Sequence, residues 1–244
     1  WNDYEGIDVS GKTVLILVND PGFAATDPDL FNGRAMTYYG RWTYKYEEAA
    51  RQGAAAVLLI HETEAASYDW DVVRNSWSGE NFSLMAGDDN MSRCALESWI
   101  SQEAARQLLE SAGRDLDELA LSALNPDFRA VPLPLSFSIS LENSIRKSLS
   151  RNVIGTIKGK SRPDEAVVYT AHWDHFGRDP ELEGDQIYNG ALDNATGTAG
   201  LIELAEAFNS LGVPPERTIV FLAVTGEEQG LLGSEYYAAH PVFA

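Results

Sequence analysis

Three short stretches concentrate the residue types that bind metals or move protons. "YTAHWDHFG" (169–177) places His172, Asp174 and His175 where an apolar run ends. "NGALDNATG" (189–197) carries Asp193 immediately before a run with helical periodicity. "AVTGEEQG" (223–230) carries Glu227 and Glu228 at the end of a very apolar run. An imidazole and several carboxylates are the donors of a zinc or similar divalent site, which takes about four ligands. Each stretch also has an ordinary explanation. A histidine at a strand end is commonly structural, Asp193 suits a helix N-cap, and paired glutamates suit a helix dipole. Taken together these explanations weaken, because each leaves a carboxylate beside apolar sequence, where charge needs a partner. A divalent cation supplies that missing charge.

The elements that must position these residues can be read from periodicity. "SRNVIGTIKG" (150–159) reads as a strand, and "AVVYTAH" (166–172) and "RTIVFLAVTG" (217–226) have the composition of buried strands. "ATGTAGLIELAEAFNSLG" (195–212) sets Leu201, Leu204, Ala205 and Phe208 on one helical face, with Asn194 or Thr196 available as a cap. "GLLGSEYYAAH" (230–240) begins a further helix. If the strands are parallel, all three polar stretches lie outside strand carboxyl ends, where open α/β sheets gather ligands. Glu227 and Glu228 are adjacent, so a regular strand would send them to opposite faces. The turn after Gly226 must therefore bring both to one side.

The preceding sequence reads as a second α/β unit. "KTVLILVND" (12–20) and "AAAVLLIH" (54–61) are strands, and "TYKYEEAARQG" (43–53) and "SQEAARQLLESAG" (101–113) are helices. Ser101 can cap the latter and Gly113 can end it. Residues 62–93 show little periodicity and read as a long surface loop. Turn formers around 125–133 place a domain boundary near residue 130, giving units 1–130 and 131–244. "LPLSFSISL" (133–141) alternates as a half-buried strand does.

Composition excludes several functions. Of 244 residues, 37 are acidic and 18 basic, for a net charge of −19. That balance opposes a nucleic-acid or anionic-membrane surface. The apolar runs fall short of the roughly 18 residues of a membrane span. Cys94 is the single cysteine, so neither an intrachain disulfide nor a thiolate zinc cluster is available. It reads as a small core residue.

The strings "NVIGTIKG", "AHWDHFG", "GALDNATGTAG" and "AVTGEEQGLLGSEYY", in this order over roughly residues 150–237, resemble metallopeptidase family twenty-eight. This is the family of co-catalytic zinc aminopeptidases and glutamate carboxypeptidase-like ectodomains. "VSGKTVLILVNDPG" and "KYEEAARQGAAAVLLIH" resemble the protease-associated domain often inserted into it. The resemblance implies an α/β fold: part of a zinc-aminopeptidase-type mixed sheet flanked by helices, behind an N-terminal protease-associated domain. It implies two Zn2+ ions in the full-length enzyme, with His172 on one, Glu228 on the other and Asp193 bridging. It assigns Glu227 as general base and Asp174 as acceptor of the second imidazole proton of His172, fixing its tautomer. It also implies a cis peptide at Asp193–Asn194. His175 is expected to support the site or lie on the surface, and His61 and His240 to be structural.

The implied activity is metal-dependent exopeptidase hydrolysis of a peptide substrate, with a secreted or periplasmic location. Aminopeptidase and carboxypeptidase action stay open, as do substrate side chain, metal identity and oligomeric state. The family pattern requires a further acid and a further histidine as ligands. After Glu228 the chain offers Glu235 and His240, both in a helical run rather than at a strand end. The 244 residues are therefore expected to be part of a longer hydrolase, inactive alone. The competing expectations are a non-catalytic receptor or binding ectodomain of the same fold, a single-zinc cyclase or acyltransferase, and a protease-associated interaction module. An intact Glu227 argues against a pure binder, which has no use for a general base.

Overall fold

The computed structural model describes residues 1–25 and 27–243. They form two compact units, one of residues 1–80 with 85–142, the other of 81–84 with 143–244.

The first unit is built around a three-stranded parallel sheet. Its elements are β1 (Thr13–Leu17), α1 (Trp42–Arg51), β2 (Ala56–Ile60), the short α2 (Thr63–Ala66), α3 (Trp70–Trp77), β3 (Leu96–Ile100), α4 (Gln102–Ser111) and α5 (Leu116–Ser122). Strand order is β1-β2-β3 with β2 central. All five residues of β2 are buried, as a strand covered on both faces requires. Side chains alternate along it. Val57 and Leu59 meet Tyr46 and Ala49 of α1 on one face. Ile60 meets Ala105 and Leu109 of α4 and Leu116 of α5 on the other. Ser101 caps α4 by accepting the Ala104 amide at 3.2 Å, and Gly113 follows its end, as the sequence predicts. Cys94 packs against the first of these cores, and burial pushes its thiol pKa up. His61 is buried, donates from Nε2 to the Tyr68 carbonyl at 2.9 Å, and sits among the rings of Tyr68, Trp70 and Trp99. Its role is structural.

The second unit holds β4 (Val153–Ile157), β5 (Arg162–His172), a π-type turn (Ala191–Ala195), α6 (Thr196–Ser210), β6 (Arg217–Val224) and α7 (Leu232–Ala239). Sheet order is β4-β6-β5. β4 runs antiparallel to β6 and β5 runs parallel to it, in register from Val167↔Ile219 to His172↔Val224. The sheet is thus mixed, and both units are α/β. β5 and β6 end side by side, which places His172 and the 225–228 turn at one rim. The predicted face of α6 is the one used. Leu201, Leu204, Ala205 and Phe208 pack on Tyr169, Ala171, Ile219 and Phe221. Tyr169 and Phe221 stack with centroids 6.2 Å apart, and Phe208 lies 5.9 Å from Tyr169. Among the described residues, no helix is long and apolar enough to cross a membrane.

Two local expectations are overturned. "LPLSFSISL" (133–141) is not a strand but irregular chain, with Phe137 and Leu141 44% and 59% exposed. Alternation alone does not make a strand; a partner edge must satisfy the backbone, and none among the described residues pairs here. The 62–93 segment is not continuous loop, since it contains α2 and α3. Trp70, Val73 and Trp77 fall on one face of α3; Val73 is buried, and Trp77 meets Trp42 edge-on at 5.7 Å. Polar residues between them obscured that spacing.

Candidate metal centre

The loop after β5 turns back at once. Trp173 N–H donates to the Val224 carbonyl at 3.0 Å, continuing the parallel ladder for one bond. His172, the last residue of β5, is buried. Its carbonyl accepts from the Thr198 hydroxyl of α6 at 2.9 Å, so the helix and the strand end are tied together. Its Nδ1 donates to the backbone carbonyl of Asp174 at 3.0 Å. Its Nε2 lies 2.9 Å from Oδ1 of Asp193 and 3.7 Å from Oε2 of Glu227.

Both ring nitrogens face acceptors, to which a protonated nitrogen can donate. Burial pulls the His172 pKa down, but the Asp174 carbonyl, the Glu227 charge and the Asp193 bond together outweigh it, and the net shift is upward. A metal-ligating nitrogen must be free of its proton. The Asp174 carbonyl can only accept, so it retains the proton on Nδ1 and leaves Nε2 as the free donor atom.

Asp174 therefore differs in detail from its sequence-based expectation. The nearest approach of its carboxylate to Nδ1 is 3.9 Å. The carboxylate instead accepts the amides of Glu227 at 3.1 Å and Glu228 at 3.3 Å. The reason is local: the loop brings the Asp174 carbonyl, not its side chain, under the imidazole. Its side chain is left to organise the neighbouring turn. Gly226 opens that turn at φ +64°, a conformation that L side chains rarely adopt. Leu232 and Gly233 amides then return to the Gly226 and Thr225 carbonyls at 3.0 and 2.8 Å. The consequence is the one demanded of adjacent glutamates. Glu227 and Glu228 both face the β5–β6 rim.

Asp193 lies in the π-type turn, and its peptide bond to Asn194 is cis. Asn194 Oδ1 accepts the Gly197 amide at 3.0 Å, so Asn194 rather than Thr196 caps the start of α6. The ordinary explanation of Asp193, an N-cap, thus falls to its neighbour. The Asp193 carboxylate is free to meet His172.

The structure brings all five sequence-selected residues to one rim. One ligand atom each from His172, Glu227 and Glu228 falls within 4.8 Å of the others. Asp193 joins through His172, and Asp174 underlies the turn. One imidazole beside three carboxylates is a hard-to-borderline donor set suited to a divalent ion. His175 also reaches the cluster, with Nδ1 2.7 Å from Oε1 of Glu228. Sequence reasoning left His175 between supporting and surface roles. The available signal was its place three residues beyond His172 in one tight loop. Thr198 had no such signal, since its hydroxyl acts on a backbone carbonyl.

Residues 152–244 match peptidase family M28. Over 144 residues the chain is 33% identical to a probable zinc metalloprotease of Leptosphaeria maculans, a match covering 59% of this chain and 30% of that protein. It is 38% identical over 101 residues to a glutamate carboxypeptidase 2 homolog of Caenorhabditis elegans, covering 40% of this chain and 12% of that protein. A zinc aminopeptidase from Bacillus subtilis superposes with a TM-score of 0.33 at 22% identity, covering 96% of this chain and 41% of that one. The chain thus spans about a third or less of the curated relatives it matches.

Replacing Asp174 by Ala leaves the Glu227 and Glu228 amides without their acceptor in a partly buried turn. Each bond to a charged group is worth about 1.5–3 kcal/mol, and these two are long. The expected loss of metal-free stability is about 2 kcal/mol, read from the shift of the urea unfolding midpoint. A shift below about 0.5 kcal/mol, the level of an ordinary surface change, would remove Asp174 from this role.

Proposed function

We propose that the protein is a zinc-dependent exopeptidase of family M28, aminopeptidase-like, acting on a peptide substrate. The observation that supports this most is the convergence of His172, Glu227 and Glu228 within 4.8 Å at one sheet rim, with Asp193 on the same imidazole. The names of the metalloprotease relatives point to zinc.

In this reading His172, Asp193 and Glu228 would hold the zinc, two ions being what the family resemblance implies. Bound zinc supplies Lewis acidity, lowering the pKa of water and polarising the peptide carbonyl. The protein's own groups do the rest. The Asp174 carbonyl holds the proton on Nδ1 of His172. Glu227, about a third exposed and so open to substrate, takes the proton of the attacking water and delivers it to the leaving amine. Glu228, 11% exposed, is the more enclosed of the two, as a ligand should be. Asp174 keeps the two roles apart by fixing both backbone amides of the turn.

Three protein ligands shared between two ions leave each short of the four donors a closed zinc shell takes. The 244 residues by themselves are therefore proposed to hold zinc weakly and to turn over no peptide. The first unit is proposed to be a protease-associated domain, on the strength of its "VSGKTVLILVNDPG" and "KYEEAARQGAAAVLLIH" strings.

The function is tested on the full protein with a chromogenic aminoacyl amide, before and after dialysis against a chelator. Activity is expected to vanish on chelation and return with added Zn2+. Turnover that persists in metal-free protein would end the metallopeptidase reading.

A further inference from the structure

The imidazole of His175 is held more firmly than a surface residue needs to be. Its Nδ1 lies 2.7 Å from Oε1 of Glu228. A carboxylate only accepts, so Nδ1–H is the donor. The two side chains are 22% and 11% exposed, so water competes little for the bond. The ring itself is fixed from several sides. Phe176 lies 4.9 Å away by centroid and Tyr188 6.4 Å away, edge-on. Phe176 and Tyr188 also contact each other at 5.8 Å. The Tyr188 amide donates to the Gly177 carbonyl at 2.9 Å, and the Arg178–Ile187 bridge closes the loop that returns Tyr188 to this place.

Gly190 completes the cradle. A Cβ there would come 3.1 Å from Cγ and Cδ2 of the His175 ring, and its φ of +63° is one that L side chains rarely adopt. A side chain at this position would crowd the imidazole and strain the backbone that leads into Asp193. The ring is thus seated between the loop after β5 and the turn that carries Asp193, with its donor on Glu228.

We propose that His175 is a positioning residue for Glu228. Its Nδ1–H holds one carboxylate oxygen, which leaves the other presented to the metal position beside His172. Outer partners of metal ligands act in this way, restricting the ligand's rotamers before the ion arrives. The proposal rests on the metallopeptidase reading and adds a residue to it.

The test measures Zn2+ affinity of the full protein by competition with a chromophoric chelator, alongside the melting temperature of the metal-free form. His175→Phe keeps an aromatic ring in the cradle and removes the donor. His175→Asn keeps a donor near the position of Nδ1. Glu228→Ala is the control for the metal site itself. Expected is a 10- to 100-fold weaker zinc affinity for His175→Phe, the usual effect of losing an outer partner, with most of it restored in His175→Asn. If His175→Phe melts below the assay temperature, His175→Ala replaces it in the comparison with His175→Asn. Wild-type affinity in the donor-less variant overturns the proposal, as does an Asn variant no better than it. If Glu228→Ala also binds zinc as the wild type does, the metal reading has failed. If only the His175 variants are silent, the positioning role alone has failed.

Discussion

Glu227→Gln in the full protein is expected to lower kcat/KM for a peptide substrate by about 10²- to 10⁴-fold, the range assigned to a positioned proton-transfer group. Zinc content should stay at the wild-type value. Gln is nearly isosteric with Glu, and the backbone amide that Asp174 accepts from position 227 is unchanged by the substitution. What disappears is the basic oxygen, now 3.7 Å from Nε2 of His172. The variant therefore separates proton transfer from site assembly. It also separates an enzyme from a binding ectodomain, for which position 227 carries no chemistry. Steady-state kinetics with metal analysis of the same sample decide it, and unchanged turnover would end the base assignment.

His172→Ala is expected to act earlier, on the site itself. The imidazole is the nitrogen donor that lies against the Asp193 and Glu227 carboxylates and groups with Glu228 within 4.8 Å. Removing it leaves oxygen ligands alone, which favour harder ions than zinc. Zinc affinity should fall by more than the 10- to 100-fold attributed to the loss of an outer partner, and activity with it. The metal-free protein should change less. The Asp193 side chain is 70% exposed and can be solvated once its partner is gone. Isothermal titration with Zn2+ checks the first statement and urea unfolding the second. A variant that retains wild-type zinc affinity would show that the ion binds elsewhere.

Much of the second unit was legible because β6 and the second half of β5 are runs rich in apolar residues and its helix has a clear face. Leu201, Leu204, Ala205 and Phe208 define that face by spacing alone, and they are the residues that pack. The rim was legible for a related reason. Polar residues that interrupt an apolar strand end are conspicuous, and parallel pairing of β5 with β6 puts two such ends side by side. The finer geometry was not legible. Whether Asp174 offers its carbonyl or its carboxylate to an imidazole depends on loop torsions that a two-residue spacing does not determine. The His175–Glu228 pair joins positions 53 residues apart, and no local pattern announces it.

In the first unit, β2 was readable from five consecutive apolar residues, whereas β3 was not. Its "LESWI" carries Glu97 and Ser98 in mid-strand, and the Ser98 hydroxyl donates to the Val57 carbonyl of the neighbouring strand. Short helices such as α5 escape for want of length; Asp115 starts that one by accepting the Glu118 amide at 2.9 Å. "LPLSFSISL" errs in the opposite sense. Its alternation is strong, but pairing partners are a property of the fold and not of the segment.

The most direct test of the site is anomalous diffraction from zinc-soaked crystals of the full protein, recorded on both sides of the zinc absorption edge. Anomalous density is expected in contact with Nε2 of His172 and with the carboxylates of Asp193 and Glu228, while Nδ1 of His172 remains on the Asp174 carbonyl. A zinc signal confined to other residues, with His172 still bonded directly to Asp193, would contradict it.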